Sequence, residues 1–183
     1  MTEVKKKRVD SKNKGNGFEN KIAKELTNCL EPLTFIRTPG SGARVGGVNF
    51  GKFGKLFSGV MDVFTGDVIC TNEKDNNVCF RFNLELKFYK ECDNFNSLFS
   101  GSAHVYAWLE ESRIDAAKVG KTPLLIFKFN RTPTYVALDI NQVLDQDEFL
   151  KTIPPDLVIK RNDQLIHLFD FERVKQDKLF WTR

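Results

Sequence analysis

From Phe80 to Phe88 the chain alternates without a break. Phe80, Phe82, Leu84, Leu86 and Phe88 fall on one parity, and Arg81, Asn83, Glu85 and Lys87 on the other. A period of two is the mark of a strand with one buried face. The strand predicted over "VCFRFNLELKFY" follows a shorter one, "DVICT", with the polar turn "NEKDNN" between them. Earlier the period is helical. In "GFENKIAKELTNCLEP" the residues Phe18, Ile22, Ala23, Leu26, Cys29 and Leu30 share one stripe, and Pro32 closes the segment. "LTFIR" then reads as a strand. "SAHVYAWLEESRIDAAKVGK" reads as a helix ended by Gly120. "TPLLIFKF" is a buried strand, with "TYVALD" as its hairpin partner. A short helix is expected around "NQVLDQDEFLK". "DLVIK" and "QLIHLF" pair through Asn162–Asp163, and the tail "DFERVKQDK" suggests a last short helix. Helix, strands, helix, strands in this order is an α/β fold with a mixed sheet.

A chain of 183 residues is enough for one domain with a core, and seventeen Phe can fill it. Residues 1–15 read as a flexible basic arm and 16–183 as one domain, with a β/α extension from about residue 131. The net charge of +4 says little about partners. The run Lys5–Arg8 has two readings, a solvated tail or an arm that touches phosphates. No apolar run is long enough to span a membrane, and no signal segment is visible. Four cysteines without zinc spacing suggest reduced thiols and a soluble cytoplasmic protein. Only two histidines, His104 and His167, are present, so a carboxylate site for a hard cation is more natural than a histidine site.

The chemistry concentrates on the alternating strand. Glu85 and Lys87 share a face, and Asp67 lies eighteen residues before Glu85 at the head of the preceding strand. A hairpin would bring it alongside. Two carboxylates on adjacent strands can hold Mg²⁺, with the Leu86 carbonyl as a further oxygen. A neighbouring ammonium can then orient water or offset charge on a phosphorus undergoing attack. The plain alternative is a surface ion pair. Asp62 is a second candidate acid, less well placed than Asp67. Between Gly40 and Gly59 lies a loop with seven glycines, the cations Arg44, Lys52 and Lys55, and no acid. Such loops are often functional.

The blocks "KGNGFENKIAKEL", "RTPGSGAR", "GDVIC", "LELKFY" and "GKTPLLIFKFN" occur in the order seen in the PD-(D/E)XK nuclease superfamily. The chain resembles the Holliday junction resolvases of archaeal and bacteriophage type over about residues 14–130, and residues 131–183 match nothing named. The resemblance implies a restriction-endonuclease-like core, a mixed central sheet flanked by helices. It assigns Asp67, Glu85 and Glu19 to the metal, and Glu85 with Lys87 to the Glu-x-Lys pair. Ser41 falls near the scissile phosphate, and Arg37, Arg44, Lys52 and Lys55 along the DNA backbone. Glu19 has the alternative of a first-turn acid favoured by the helix dipole, and Ser41 that of a turn residue. Family members often carry Gln on the second helix where this chain has Glu111. Tyr106 and Trp108 are expected in the core, Lys128 is either solvated or DNA-facing, and both histidines are expected to be structural.

The expected function is therefore a metal-dependent, structure-selective DNA endonuclease that resolves four-way junctions. Mg²⁺ is the expected cofactor, with Mn²⁺ able to substitute, and a phage-encoded enzyme acting in a host cytoplasm fits this type. The alternatives are a PD-(D/E)XK nuclease for a flap, nick or duplex site, or a catalytically idle DNA-binding module. Paired cuts imply a homodimer, with Tyr106, Trp108 and Leu109 or Leu179, Phe180 and Trp181 as candidate interface residues, though either set could equally be core.

Overall fold

The computed structural model describes residues 11–38, 65–92, 94–101, 103–143, 146–149, 151 and 153–183. Met1–Asp10, and with them the run Lys5–Arg8, lie outside the described residues, as does most of the glycine-rich loop. Helix α1 is Ser11–Cys29. Strands β1 (Phe35–Arg37), β2 (Val68–Cys70) and β3 (Phe82–Tyr89) follow. Helices α2 (Phe95–Ser100) and α3 (His104–Val119) lead to β4 (Thr122–Phe129) and β5 (Thr134–Asp139). A 3₁₀ turn at Ile140–Gln142 and the short α4 (Gln146–Phe149) precede β6 (Leu157–Arg161) and β7 (Gln164–Asp170). The chain ends in α5 (Phe171–Val174) and α6 (Lys178–Trp181).

The seven strands among the described residues form one sheet in the order β1-β2-β3-β4-β5-β7-β6. Only β3 and β4 run parallel, because α3 carries the chain back between them; the other pairs are antiparallel. This is the expected mixed sheet flanked by helices. The two parities of β3 face different layers. Phe82, Leu84 and Leu86 join α1, Phe149, Phe171, Phe180 and Trp181 in one core, and Phe88 packs against its margin. The opposite face of the sheet, through Leu125, Phe127, Ala137 and Ile166, packs on Val105, Tyr106, Trp108 and Leu109 of α3.

Several boundaries differ from the sequence expectation. Helix α1 begins at Ser11, so residues 11–15, expected in a flexible arm, are helical. Two glycines and two asparagines make "NKGNG" a poor helix former. Tertiary contacts outweigh that. Lys14 lies 3.8 Å over the Phe88 ring and donates to Asn130 at 2.7 Å, and Asn16 accepts from Arg37 at 2.8 Å. Strand β3 starts at Phe82, not Val78. Phe80 instead forms a lone bridge with Thr182, and Arg81 donates to the Thr182 carbonyl at 2.7 Å. The C-terminus thereby occupies the place where β3 would have continued pairing. Tyr106, Trp108, Leu109, Phe180 and Trp181 are core residues, not interface, and of the six suggested for dimerisation only Leu179 is exposed, at 67 %. Helix α3 ends as expected at Gly120, which adopts φ 67°.

Candidate active site

Strand β2 is positioned by Gly66. Its φ of 84° is open to glycine and costly for other residues, and a Cβ there would stand 2.8 Å from the Leu84 carbonyl oxygen. The close approach lets the Asp67 amide donate to that carbonyl at 2.7 Å. Val68 pairs with Leu84, which sets Asp67 opposite Glu85, one step along the antiparallel ladder. The Asp67 Oδ2 then accepts from the Leu86 amide at 2.8 Å. Two residues on, Lys87 Nζ stands 2.8 Å from Glu85 Oε1. The expected hairpin geometry thus brings Asp67, Glu85 and Lys87 together.

A row on β3 meets a row on α3. Glu85, Lys87 and Tyr89 share a face of the strand, and His104, Trp108, Glu111 and Asp115 share a stripe of the helix. Lys87 donates to Glu111 Oε2 at 2.8 Å, and the Tyr89 ring centroid lies 4.7 Å from that of Trp108. Glu111, left without a role by the sequence, therefore clasps Lys87 from the second layer. The alternation that exposes Glu85 and Lys87 also reaches Tyr89, and helical spacing from His104 would have found the opposing row.

The electrostatics follow from burial. Asp67 is 8 % exposed, and desolvation pushes its carboxyl up to about 8. The charges of Glu85 and Glu19 add to this, against the Leu86 hydrogen bond and Lys87. Burial raises Glu85 too, against the pull of Lys87, with Asp115 and Glu111 adding to the rise. Burial disfavours the Lys87 ammonium, but Glu85 and Glu111 more than reverse this, so its pKa lies above the ordinary lysine value. Glu85 and Glu111 thus hold Lys87 as a cation between them. Two buried carboxylates that resist ionising side by side are a donor set suited to a hard divalent cation.

The remaining expected residues divide. Glu19 is buried on α1, and its charge reaches Asp67, yet its carboxylate is engaged by Arg37 Nε. Arg37, expected along a DNA backbone, is committed to Glu19 and Asn16. Among the described residues no three His, Cys, Asp or Glu converge as a ready-made metal cluster. Ser41, Arg44, Lys52 and Lys55 lie outside the described residues, and so does Asp62. Lys128 donates to the Thr132 carbonyl at 2.7 Å. His167 is buried at 6 % exposure, and burial lowers its pKa. No helix among the described residues is long and apolar enough to cross a membrane.

Residues 10–174 match the model of a family described as "Phage putative PDDEXK endonuclease". The chain belongs to this family. The match includes Asp67, Glu85 and Lys87, and it runs far past residue 130, into the stretch for which the sequence offered no family resemblance. No curated protein matches the chain. Among solved structures, Hjc, a Holliday junction resolvase from the archaeal hyperthermophile Archaeoglobus fulgidus, is similar at 12 % identity and a TM-score of 0.39. That match covers 88 % of this chain and 95 % of the archaeal one. In this member of the family Asp67, at the head of β2, stands beside Glu85 on β3, with Lys87 two residues further along.

Proposed function

We propose that the chain is a divalent-metal-dependent DNA endonuclease that cuts branched DNA, with four-way junctions as the main substrate. The observation that carries the hydrolytic part is the Asp67–Glu85 juxtaposition with Lys87 beside it on β3. Family membership supports the same reading. The junction substrate is supported by the order of the five sequence blocks, from "KGNGFENKIAKEL" to "GKTPLLIFKFN".

Asp67 and Glu85 are the residues that would hold Mg²⁺ or Mn²⁺, with Glu19 available once Arg37 releases it. Held there, such an ion would supply Lewis-acid polarisation of the scissile phosphate and of water. Lys87 does the rest as a cation. Glu85 and Glu111 engage its ammonium, and an ammonium has three N–H groups, so one is left to steady the attacking water or the phosphate oxygens. Two symmetric cuts on one junction call for two such sites, hence a homodimer.

The test is cleavage of a synthetic four-way junction beside flap, nicked and duplex controls, in Mg²⁺ and in EDTA. Metal-dependent paired cuts on the junction are expected. Asp67→Asn and Glu85→Gln should abolish cutting while junction binding survives, and Lys87→Ala should slow cutting on the order of a hundredfold. Cleavage by Asp67→Asn at the native rate would defeat the site assignment. Preference for flap or nick would move the substrate and leave the chemistry.

A further inference from the structure

The row that carries Glu85 and Lys87 does not end at the lysine. Tyr89 is the next residue on that face of β3, roughly 7 Å further along the strand. It is 44 % exposed. Its ring is backed by Trp108, centroid to centroid 4.7 Å, and flanked by His104 at 5.8 Å. His104 in turn stacks on Trp108 at 5.5 Å with the rings 24° apart. Trp108 is fixed in the core at 4 % exposure. The two outer rings therefore sit on a rigid base.

We propose that Tyr89, supported by Trp108 and His104, is a stacking shelf for an unpaired nucleobase adjacent to the scissile phosphate. The proposal rests on the nuclease reading above and narrows its substrate to DNA with an unpaired or displaced nucleotide at the cut site. Two features select this occupant. The shelf continues the strand face that carries Lys87. It also reads no base edge, because an aromatic ring accepts the π-face of any base. A paired base inside a duplex has both faces covered by its neighbours and cannot use the shelf. A base at a flap root, a gap or an opened branch point can.

The experiment uses the full chain in EDTA, so that nothing is cut, and a branched DNA with 2-aminopurine at the unpaired position next to the mapped cut site. A matched, fully paired duplex is the control. Native protein should quench the 2-aminopurine emission on the branched DNA. Tyr89→Leu, which keeps apolar bulk and removes the ring, should lose the quench and weaken branched-DNA binding roughly tenfold. Tyr89→Phe should stay within about twofold of native protein, because the ring and not the hydroxyl stacks. Duplex affinity should be unchanged in both. A native-like quench in Tyr89→Leu overturns the proposal, and so does an equal loss on duplex and branched DNA. A native protein that cuts no DNA in Mg²⁺ overturns the nuclease reading itself and this inference with it. A native protein that cuts branched DNA, with Tyr89→Leu unchanged, overturns the shelf alone.

Discussion

Asp67 shows how a single side chain can make the fold work against itself. In water its carboxyl would titrate near 3.8, and in the fold it is pushed up to about 8 by burial and by Glu85 and Glu19. The unfolded chain therefore binds fewer protons than the native one between those values, and its stability must fall as pH rises through that window. Metal-free protein should show a melting temperature that declines from about pH 5 to pH 8, read by differential scanning fluorimetry in EDTA. Asp67→Asn should flatten the decline. Millimolar Mg²⁺ should restore the native protein most at the alkaline end, where the proton no longer competes for the carboxylates. A profile that rises towards pH 8 in EDTA would contradict the burial argument. Gly66 adds a steric constraint to the same place. Gly66→Ala forces φ 84° on a residue with a Cβ and sets that carbon against the Leu84 carbonyl oxygen. A loss of at least about 1–2 kcal/mol in chemical denaturation is expected, with cleavage lost further than stability because Asp67 moves with it.

At the level of elements, β3 decides most of what can be read in advance. Its strict alternation reveals a strand, its buried parity and the face shared by Glu85 and Lys87, because a strand leaves a period of two in the sequence. The helix over His104–Val119 was equally legible, and Gly120 marks its end. The hairpin of β6 and β7 was visible at Asn162, whose φ is 52°. Three things were not legible, each for a physical reason. The first turns of α1 have poor helix propensity and depend on contacts with Phe88 and Asn130, distant in sequence. The pairing of Arg37 with Glu19 joins two residues that local pattern treats as separate surface charges. The end of the chain looks like a polar tail with an apolar patch, yet Phe180 and Trp181 are fully buried. Trp181 lies 6.1 Å from Phe80 in a nearly parallel stack and donates from Nε1 to the Val174 carbonyl at 2.8 Å. This places the C-terminus against the start of β3. Trp181→Ala should cost about 3–5 kcal/mol in urea unfolding, and a loss under about 1 kcal/mol would mean that the tail only rests on the core.

For the whole molecule the proposed junction cleavage sets a requirement, because paired incisions need two sites and each chain carries one set of Asp67, Glu85 and Lys87. A four-way junction has a two-fold axis, and a pair of related incisions is most simply made by two chains sharing that axis. The buried rings of α3 and α6 are unavailable for pairing. The large apolar side chains that the described residues do offer to solvent are Ile36, Tyr89, Ile114, Leu157, Val158 and Leu179. They are spread over β1, β3, α3, β6 and α6, so no single apolar patch dominates, and an interface built from any part of them would be small and partly polar. Such interfaces dissociate on dilution. The expectation is therefore a dimer that forms at micromolar concentration and is strengthened by junction DNA, which holds two protomers on one scaffold. Sedimentation velocity over a dilution series, with and without a junction bearing blocked arms, measures this directly. Two protomers per junction and paired cuts within one binding event are the expected result. One protomer per junction, with nicks that never pair, would remove the resolvase reading and leave a single-cut nuclease for flaps or nicks.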